Sequence, residues 1–201
     1  MHFFAAGPAL EIKRVDSSGS GRGVWSQVPS AKVLITDSYF HHNVADGVDL
    51  DSMSANVMVR NNRFEANGRS GVFVEEGASN NIIIDNTFYN NSGCGVLFYT
   101  NLGGRDPGKY PTKDNWVVGN TFSANGGAIS LGGRVRGNGA TDTLIAENSI
   151  EGDTQYGWAA NGAAIGNHVL TSDTLDLNLI VTREQGYTAG NVTFFAEPPD
   201  L

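Results

Sequence analysis

Four side chains that could carry chemistry, Asp49, Asp51, Glu75 and Tyr99, lie in three similar segments. The segments read GVDLD from Gly47, GVFVE from Gly71 and GVLFY from Gly95. Alternate residues of a strand face the same side, so Asp49 and Asp51 share a face, and in-register stacking places Glu75 over Asp51 and Tyr99 over Glu75. Neighbouring carboxylates repel, which pushes one toward its protonated form. The pattern therefore predicts an acid and a base within a few ångströms, as general acid–base catalysis requires.

The same carboxyl groups, which Asp46 and Glu76 flank, have two other interpretations. They could form an acidic, solvated sheet edge that keeps a repetitive fold soluble. Alternatively, three carboxylates supply the hard oxygen ligands that Ca²⁺ prefers. We expect no cofactor, with Ca²⁺ as the alternative.

A candidate binding loop follows Tyr99, where residues 100–113 read TNLGGRDPGKYPTK. Loops longer than their neighbours often carry binding residues. Four of its side chains suit a sugar ligand: Arg105, Lys109, Tyr110 and Lys113. Arginine can grip a carboxylate or sulfate with two hydrogen bonds, and tyrosine can stack on a sugar ring. A tolerated surface insertion is the alternative.

A second candidate binding element is the segment GGRVRG at residues 132–137. If it is extended, Arg134 and Arg136 point the same way and could hold an acidic sugar. The alternative is a pair of exposed arginines in a glycine-rich turn.

The elements that must position these residues are repeats. Five segments can be superimposed: KVLITDSYF (32–40), NVMVRNNRF (56–64), NNIIIDNTF (80–88), DNWVVGNTF (114–122) and DTLIAENSI (142–150). The first three recur every 24 residues, and the next two follow after 34 and 28. A unit of this length cannot bury its apolar face alone and must stack on its neighbours.

The aligned repeats define columns of like residues. One column is β-branched (Ile35, Val59, Ile83, Val117, Ile145), one is mostly aromatic (Phe40, Phe64, Phe88, Phe122, Ile150), and one is mostly asparagine (Ser38, Asn62, Asn86, Asn120, Asn148). Stacking at the strand spacing of about 4.8 Å would fill a core with the apolar columns and form a ladder of amides. In the second strand of each repeat, we expect inward columns through Val48, Val72, Val96 and Ala128, and through Leu50, Val74, Phe98 and Ser130, with a glycine allowing a tight bend beforehand.

Length, charge and composition limit the number of domains and the partners that the protein could have. The length of 201 residues fits a single domain, 1–201, with clear repeats over 31–150 and irregular segments at 1–30 and 151–201. A formal charge of −8 argues against nucleic acid as a general partner, and no apolar stretch approaches the ~20 residues of a membrane span. The start, MHFFAAGPAL, lacks the features of a signal peptide, so we expect a trimmed chain or a fragment of a longer protein.

The repeat pattern resembles the right-handed parallel β-helix of the pectate-lyase-like superfamily, through its N-x-F and G-V-x-[LIVF] elements over about residues 31–150. The resemblance implies an all-β solenoid, and dividing the length by the repeat predicts about seven turns. It also implies a secreted or extracellular protein that binds an extended polysaccharide along one parallel sheet.

Two enzyme families of that superfamily offer partial matches. The strand after Gly47 resembles the Asp-Pro-His strand of mannuronan epimerases and related alginate lyases: Asp49 matches the aspartate, Leu50 and Asp51 replace the proline and histidine, and Glu75 matches the acidic residue one turn later. Residues 46–49 resemble the Asn-Thr-Asp-Gly stretch of polygalacturonases, in which Asp46 matches the aspartate. The next turn has Arg69 and Ser70 where a pair of aspartates is expected.

Two hypotheses about function follow. In the first, the protein cleaves or modifies a polysaccharide in a groove over Asp49, Asp51, Glu75 and Tyr99. It would act by hydrolysis with two carboxyls, or by lyase or epimerase chemistry with Tyr99 as acid or base. In the second, the chain is a non-catalytic binding, adhesive or structural module of a larger secreted or phage-tail protein, with open solenoid ends that favour self-association.

Overall fold

A computed structural model describes residues 1–3, 9–27, 32–99, 112–130, 140, 142–151 and 168–170. Within these ranges the regular structure is entirely β-strand, and every pairing between named strands is parallel. From β1 to β18, each strand pairs with the strand three positions along the chain, so successive strands belong to three different sheets, and β19 pairs with β17. This is the topology of a parallel β-solenoid, as the repeats predict.

The strands are numbered along the chain and grouped here by sheet. Sheet A contains β1 (His2–Phe3), β4 (Val24–Ser26), β7 (Val48–Leu50), β10 (Val72–Glu75), β13 (Cys94–Tyr99) and β16 (Gly127–Ser130). Sheet B contains β2 (Ala9–Lys13), β5 (Lys32–Thr36), β8 (Val57–Arg60), β11 (Ile82–Ile84), β14 (Trp116–Val118), β17 (Leu144–Ala146) and β19 (His168–Leu170). Sheet C contains β3 (Asp16–Ser18), β6 (Tyr39–His41), β9 (Arg63–Glu65), β12 (Thr87–Tyr89), β15 (Thr121–Ser123) and β18 (Ser149–Glu151).

The number of turns differs slightly from the predicted seven. The chain makes five complete turns from β1 to β16 and continues through β17 and β18. Dividing the whole length by the repeat also counted residues 152–167 and 171–201, which lie outside the described residues. No helix long and apolar enough to span a membrane occurs in the described part.

The predicted apolar columns form the core. Strand pairing aligns the β-branched column from Ile35 to Ile145, and all its members are fully buried. The aromatic column is a stack of phenylalanine rings, with centroids 5.4 Å apart between Phe40 and Phe64 and 4.9 Å apart between Phe64 and Phe88. Each turn therefore buries its apolar residues against the same residue types of the next turn, which is the main stabilising contribution to such a fold.

The predicted asparagine ladder is present, and it has two companions. Asn62 donates through Nδ2 to Oδ1 of Asn86 at 3.1 Å, and Asn86 donates in the same way to Asn120 at 3.0 Å. Two further buried ladders were not predicted. One runs through Asn43, Asn67, Asn91 and Asn125, and the other joins Asn81 to Asn115. These amides satisfy backbone groups at the corners that would otherwise be buried without partners.

The corners between sheets depend on residues with left-handed backbone. Between sheets B and C this position is held by Asp37, Asn61 and Asp85, with φ of 52°, 55° and 56°. Aspartate and asparagine tolerate this conformation better than most residues because their short side chains bond the local backbone. Gly119 takes the same position in the next turn with φ of 66°.

Two details of the second strand differ from the prediction. Val96 pairs with Ile129, and Leu97 pairs with Ser130. The predicted columns are therefore wrong by one residue at this turn: Ile129 stacks on Val96, Ser130 stacks on Leu97, and Ala128 lies beside Gly95, although Ala128 is buried in the core as predicted. The glycines also have another purpose. A Cβ on Gly71 would collide with the Phe88 ring and lie 2.8 Å from the carbonyl oxygen of Gly95, so glycine makes room for the phenylalanine stack.

Candidate functional site

The outer face of sheet A gathers the predicted catalytic residues in two columns. Strand pairing places Asp49 opposite Phe73 and Glu75 opposite Tyr99. The ladder between β7 and β10 ends at the pairing of Leu50 with Val74. Asp51 and Glu75 are the next residue of each segment, and the charge of Asp51 is among those that raise the pKa of Glu75. The geometry is the one that the sequence predicts, although it does not test the catalytic roles. We call Asp51 and Glu75 the carboxyl pair.

Asp51 is held by neutral hydrogen-bond donors. Its Oδ2 accepts from Trp25 Nε1 at 2.9 Å and from Gln27 Nε2 at 2.7 Å. Its Oδ1 accepts from Ser52 Oγ at 2.9 Å. Three donors suit an ionised carboxylate, which only accepts hydrogen bonds. Asp51 is almost fully buried, with 7% of its surface exposed, so these donors fix its orientation.

Glu75, unlike Asp51, is partly exposed and has a strongly raised pKa. It is half-buried, and its pKa is raised from 4.5 to about 8. Burial is the largest cause, followed by the negative charges of Asp49 and Asp51, which outweigh the lowering effect of Arg69. At neutral pH, Glu75 therefore carries a proton, next to an Asp51 carboxyl that accepts three hydrogen bonds. Two neighbouring carboxyls with different protonation can divide the roles of acid and base.

Asp49 faces outward as predicted, but it is covered. Its side chain has no exposed surface, and the guanidinium of Arg22 forms a close ion pair with Oδ2. Neither carboxyl oxygen makes a hydrogen bond of acceptable geometry. The pKa of Asp49 is raised to about 7, chiefly by burial; Arg22 lowers it, and Asp46 and Asp51 raise it. In this arrangement, Asp49 acts on its neighbours through its charge and does not reach solvent.

Two arginines complete the site, and sequence reasoning had not identified either as part of it. Arg69 donates from Nε to Oδ1 of Asp46 at 2.8 Å, and its Nη2 also pairs with Oδ2 of Asp46. Its guanidinium lies 3.8 Å above the ring of Phe73. Arg22 lies 4.7 Å above the ring of Trp25. The repeat could have identified Arg22 as part of the site, because Arg22 precedes Asp46 by one period of 24 residues and therefore lies beside it in the preceding turn.

Tyr99 and Lys113 are the remaining predicted residues within the described ranges. Tyr99 is half-buried, with its ring centroid 6.1 Å from that of Phe73. Lys113 lies at the corner before β14, where its ammonium pairs with Asp114 at 3.1 Å. It is therefore placed off the sheet A face. The other predicted binding residues lie outside the described residues: Arg105, Lys109, Tyr110, Arg134 and Arg136.

The described cations that pair with the buried carboxyls Asp46 and Asp49 are the guanidinium groups of Arg69 and Arg22. Among the described residues, no group of three or more His, Cys, Asp or Glu side chains is arranged to hold a metal ion. The Ca²⁺ alternative therefore gains no support from this part of the chain, and it stays a prediction.

A second polar cluster lies on the outer face of sheet C. His41 Nε2 is 2.9 Å from Asp16 Oδ1, and His41 Nδ1 is 2.9 Å from His42 Nδ1. Tyr39 donates to Glu65 at 2.5 Å, which raises the pKa of the phenol and lowers that of the carboxyl. An open cavity of about 580 Å³ lies beside this cluster, at the corner between sheets B and C. The side chains of this polar cluster bond to one another. The sequence had suggested no role for them.

Comparison with known proteins supports the fold class that the repeats and the stacked sheets indicate. Residues 7–105 match the family model described as the right handed beta helix region. With the three stacked parallel sheets, this match shows that the protein is a right-handed β-helix repeat protein. No curated protein and no solved structure matches the chain, so no relative supports the resemblance to mannuronan epimerases or polygalacturonases. The fold is common to carbohydrate-active enzymes and to non-catalytic modules, and the particular activity must be argued from the site.

Proposed function

We propose that the protein hydrolyses a polysaccharide that lies across the outer face of sheet A. The observation that carries this proposal is the carboxyl pair: Asp51 accepts hydrogen bonds from three neutral donors, whereas Glu75 beside it has a pKa of about 8. Glycosidic hydrolysis needs one carboxyl that gives a proton and one that is ionised. Asp51 directly follows β7, and Glu75 ends the neighbouring strand β10.

In the proposed reaction, Glu75 gives its proton to the glycosidic oxygen as the bond from that oxygen to the anomeric carbon breaks. Water then adds to the anomeric carbon, and its proton passes to a carboxylate. Asp51 either accepts that proton directly or first attacks the anomeric carbon to form a glycosyl ester that water cleaves. The distance between the two carboxyls in a substrate complex would distinguish inversion from retention.

Hydrolysis fits the site better than uronate lyase or epimerase chemistry does. Those reactions need a positive group that neutralises the substrate carboxylate. Both arginines on this face already pair with carboxylates of the protein, Arg22 with Asp49 and Arg69 with Asp46. Releasing Arg22 would leave Asp49 with only the longer contact to Arg69 at 3.9 Å, and releasing Arg69 would leave Asp46 with only Arg22 at 3.8 Å. Loss of the principal counter-ion of a buried carboxylate is unfavourable.

The test is release of new reducing ends from a panel of polysaccharides by the full chain. We expect Asp51→Asn and Glu75→Gln each to lower the rate at least about a hundredfold, as loss of a general acid or base does. Thr87→Ala, an exposed change on sheet C, is the matched control and should leave the rate unchanged. Full activity in both carboxyl variants would refute the assignment.

A non-catalytic binding module is the second candidate, and the burial of Asp49 beneath Arg22 favours it. A face whose charges are largely satisfied internally can bind a glycan without reacting with it. In that case, the chain would retard in a polysaccharide gel but release no reducing ends. The secreted location and self-association through the solenoid ends remain predictions. Sedimentation of the chain at high concentration would test self-association, and a clean monomer would count against it.

A further inference from the structure

We infer that the subsite at the carboxyl pair takes an uncharged sugar and excludes a uronate or sulfated one. The inference rests on the proposed function and adds the substrate class. It follows from the arrangement of charges on the outer face of sheet A. Anionic polysaccharides, which the sequence suggested as ligands for the arginine-containing segments, would then be poor ligands at this subsite.

The first observation is the balance of charged groups. Five carboxyl side chains cluster with two guanidinium groups on this face and its edge: Asp46, Asp49, Asp51, Glu75, Glu76, Arg22 and Arg69. Burial is the largest cause of the raised pKa of Glu75, and the charges of Asp49, Asp51 and Glu76 raise it further although Arg69 opposes them. Even with Glu75 protonated, the other four described carboxyl groups outnumber the two described guanidinium groups, so their net field is negative and would repel an anionic ligand.

The second observation is that the positive charges are already committed. Arg69 binds Asp46 through both Nε and Nη2, the two-point contact that a uronate would need. Arg22 is drawn down onto the buried Asp49 and packs over Trp25. The donors to Asp51 are all neutral, so a uronate placed beside Asp51 would meet its charge without a compensating cation from the described part of the chain.

The third observation concerns the surface beyond Glu75. Leu97 and Tyr99 lie on the next strand, and both are partly exposed. An apolar residue beside a tyrosine ring offers a surface for the face of an uncharged pyranose. The subsite thus combines apolar contact with a proton donor and a carboxylate.

The test uses pairs of polymers that share a backbone and differ in charge. Fully methyl-esterified and de-esterified polygalacturonan form one pair, and hydroxyethyl and carboxymethyl cellulose form another. For any pair that the full chain cuts, we expect the initial rate on the neutral member to be at least about tenfold higher, as one uncompensated charge in a partly solvated site would cause. A preference for the anionic member would overturn the inference and leave hydrolysis intact.

If no polymer is cut, the proposed hydrolysis fails, and retardation in gels containing the same pairs still tests the inference. Stronger retardation by the neutral member supports it; equal or stronger retardation by the anionic member, or none by either, overturns it. Glu76→Lys should move the preference several-fold toward the anionic member by reversing one charge at the edge of the site. Glu151→Lys on sheet C is the control with the same change in net charge, and an equal response in both variants would refute a local effect.

Discussion

Replacing Glu75 by glutamine should change how the stability of the fold depends on pH. The folded state keeps the Glu75 proton up to about pH 8, whereas an unfolded chain releases it near the ordinary value of 4.5. Between these pH values, the folded state binds more protons than the unfolded state. The contribution of Glu75 to the free energy of unfolding therefore falls as the pH rises through this window, and a neutral glutamine has no such dependence.

The magnitude follows from the two pKa values. A rise from 4.5 to about 8 corresponds to about 5 kcal/mol at 1.36 kcal/mol per pH unit. Glu75 keeps part of its surface in water, and solvent screening reduces this figure. We therefore expect the loss of stability between pH 5 and pH 9 to be smaller by about 2 kcal/mol in the variant than in the wild type.

Urea unfolding at pH 5, 7 and 9, followed by tryptophan fluorescence, measures this difference. Asp49, whose pKa is also raised, stays in the variant and leaves part of the dependence in place. Glu11→Gln, an exposed change on sheet B, is the control and should follow the wild type. If the wild type and Glu75→Gln lose the same stability between pH 5 and pH 9, the inferred environment of Glu75 is wrong.

Two further predictions concern the stacked core. Phe64→Ala should lower the free energy of unfolding by about 3–5 kcal/mol, because it removes a fully buried ring that stacks on both neighbouring rings; a loss below 1 kcal/mol in urea unfolding would contradict this. Gly71→Ala should cost about 1–3 kcal/mol, since its Cβ would collide with the Phe88 ring and lie 2.8 Å from the carbonyl oxygen of Gly95. Gly21→Ala, where a Cβ meets nothing within 4 Å, should unfold at nearly the wild-type urea concentration, and equal losses in both glycine variants would refute the packing argument.

The fold could be predicted because its information is local and repeated. The spacing of 24 residues identifies which residues of successive turns stack, and like residues then occupy the same column from Phe40 to Phe122. The register of β16 could not be obtained in this way. Residues 100–113 break the spacing, and GAISL at Gly127 can be aligned on GVLFY in two ways that differ by one residue. The structure selects the pairing of Val96 with Ile129, which buries the larger side chain.

The sequence by itself determined the solenoid, its apolar columns and the outward position of Asp49, Asp51 and Glu75, because strand alternation fixes which way a side chain points. Only the tertiary structure decided what surrounds these carboxyls. Arg22 and Arg69 come from corners of different turns, and they cover Asp49 while Glu75 stays partly exposed. Burial and neighbouring charges depend on several turns at once, so the raised pKa of Glu75 follows from the packed sheet and not from the residue pattern.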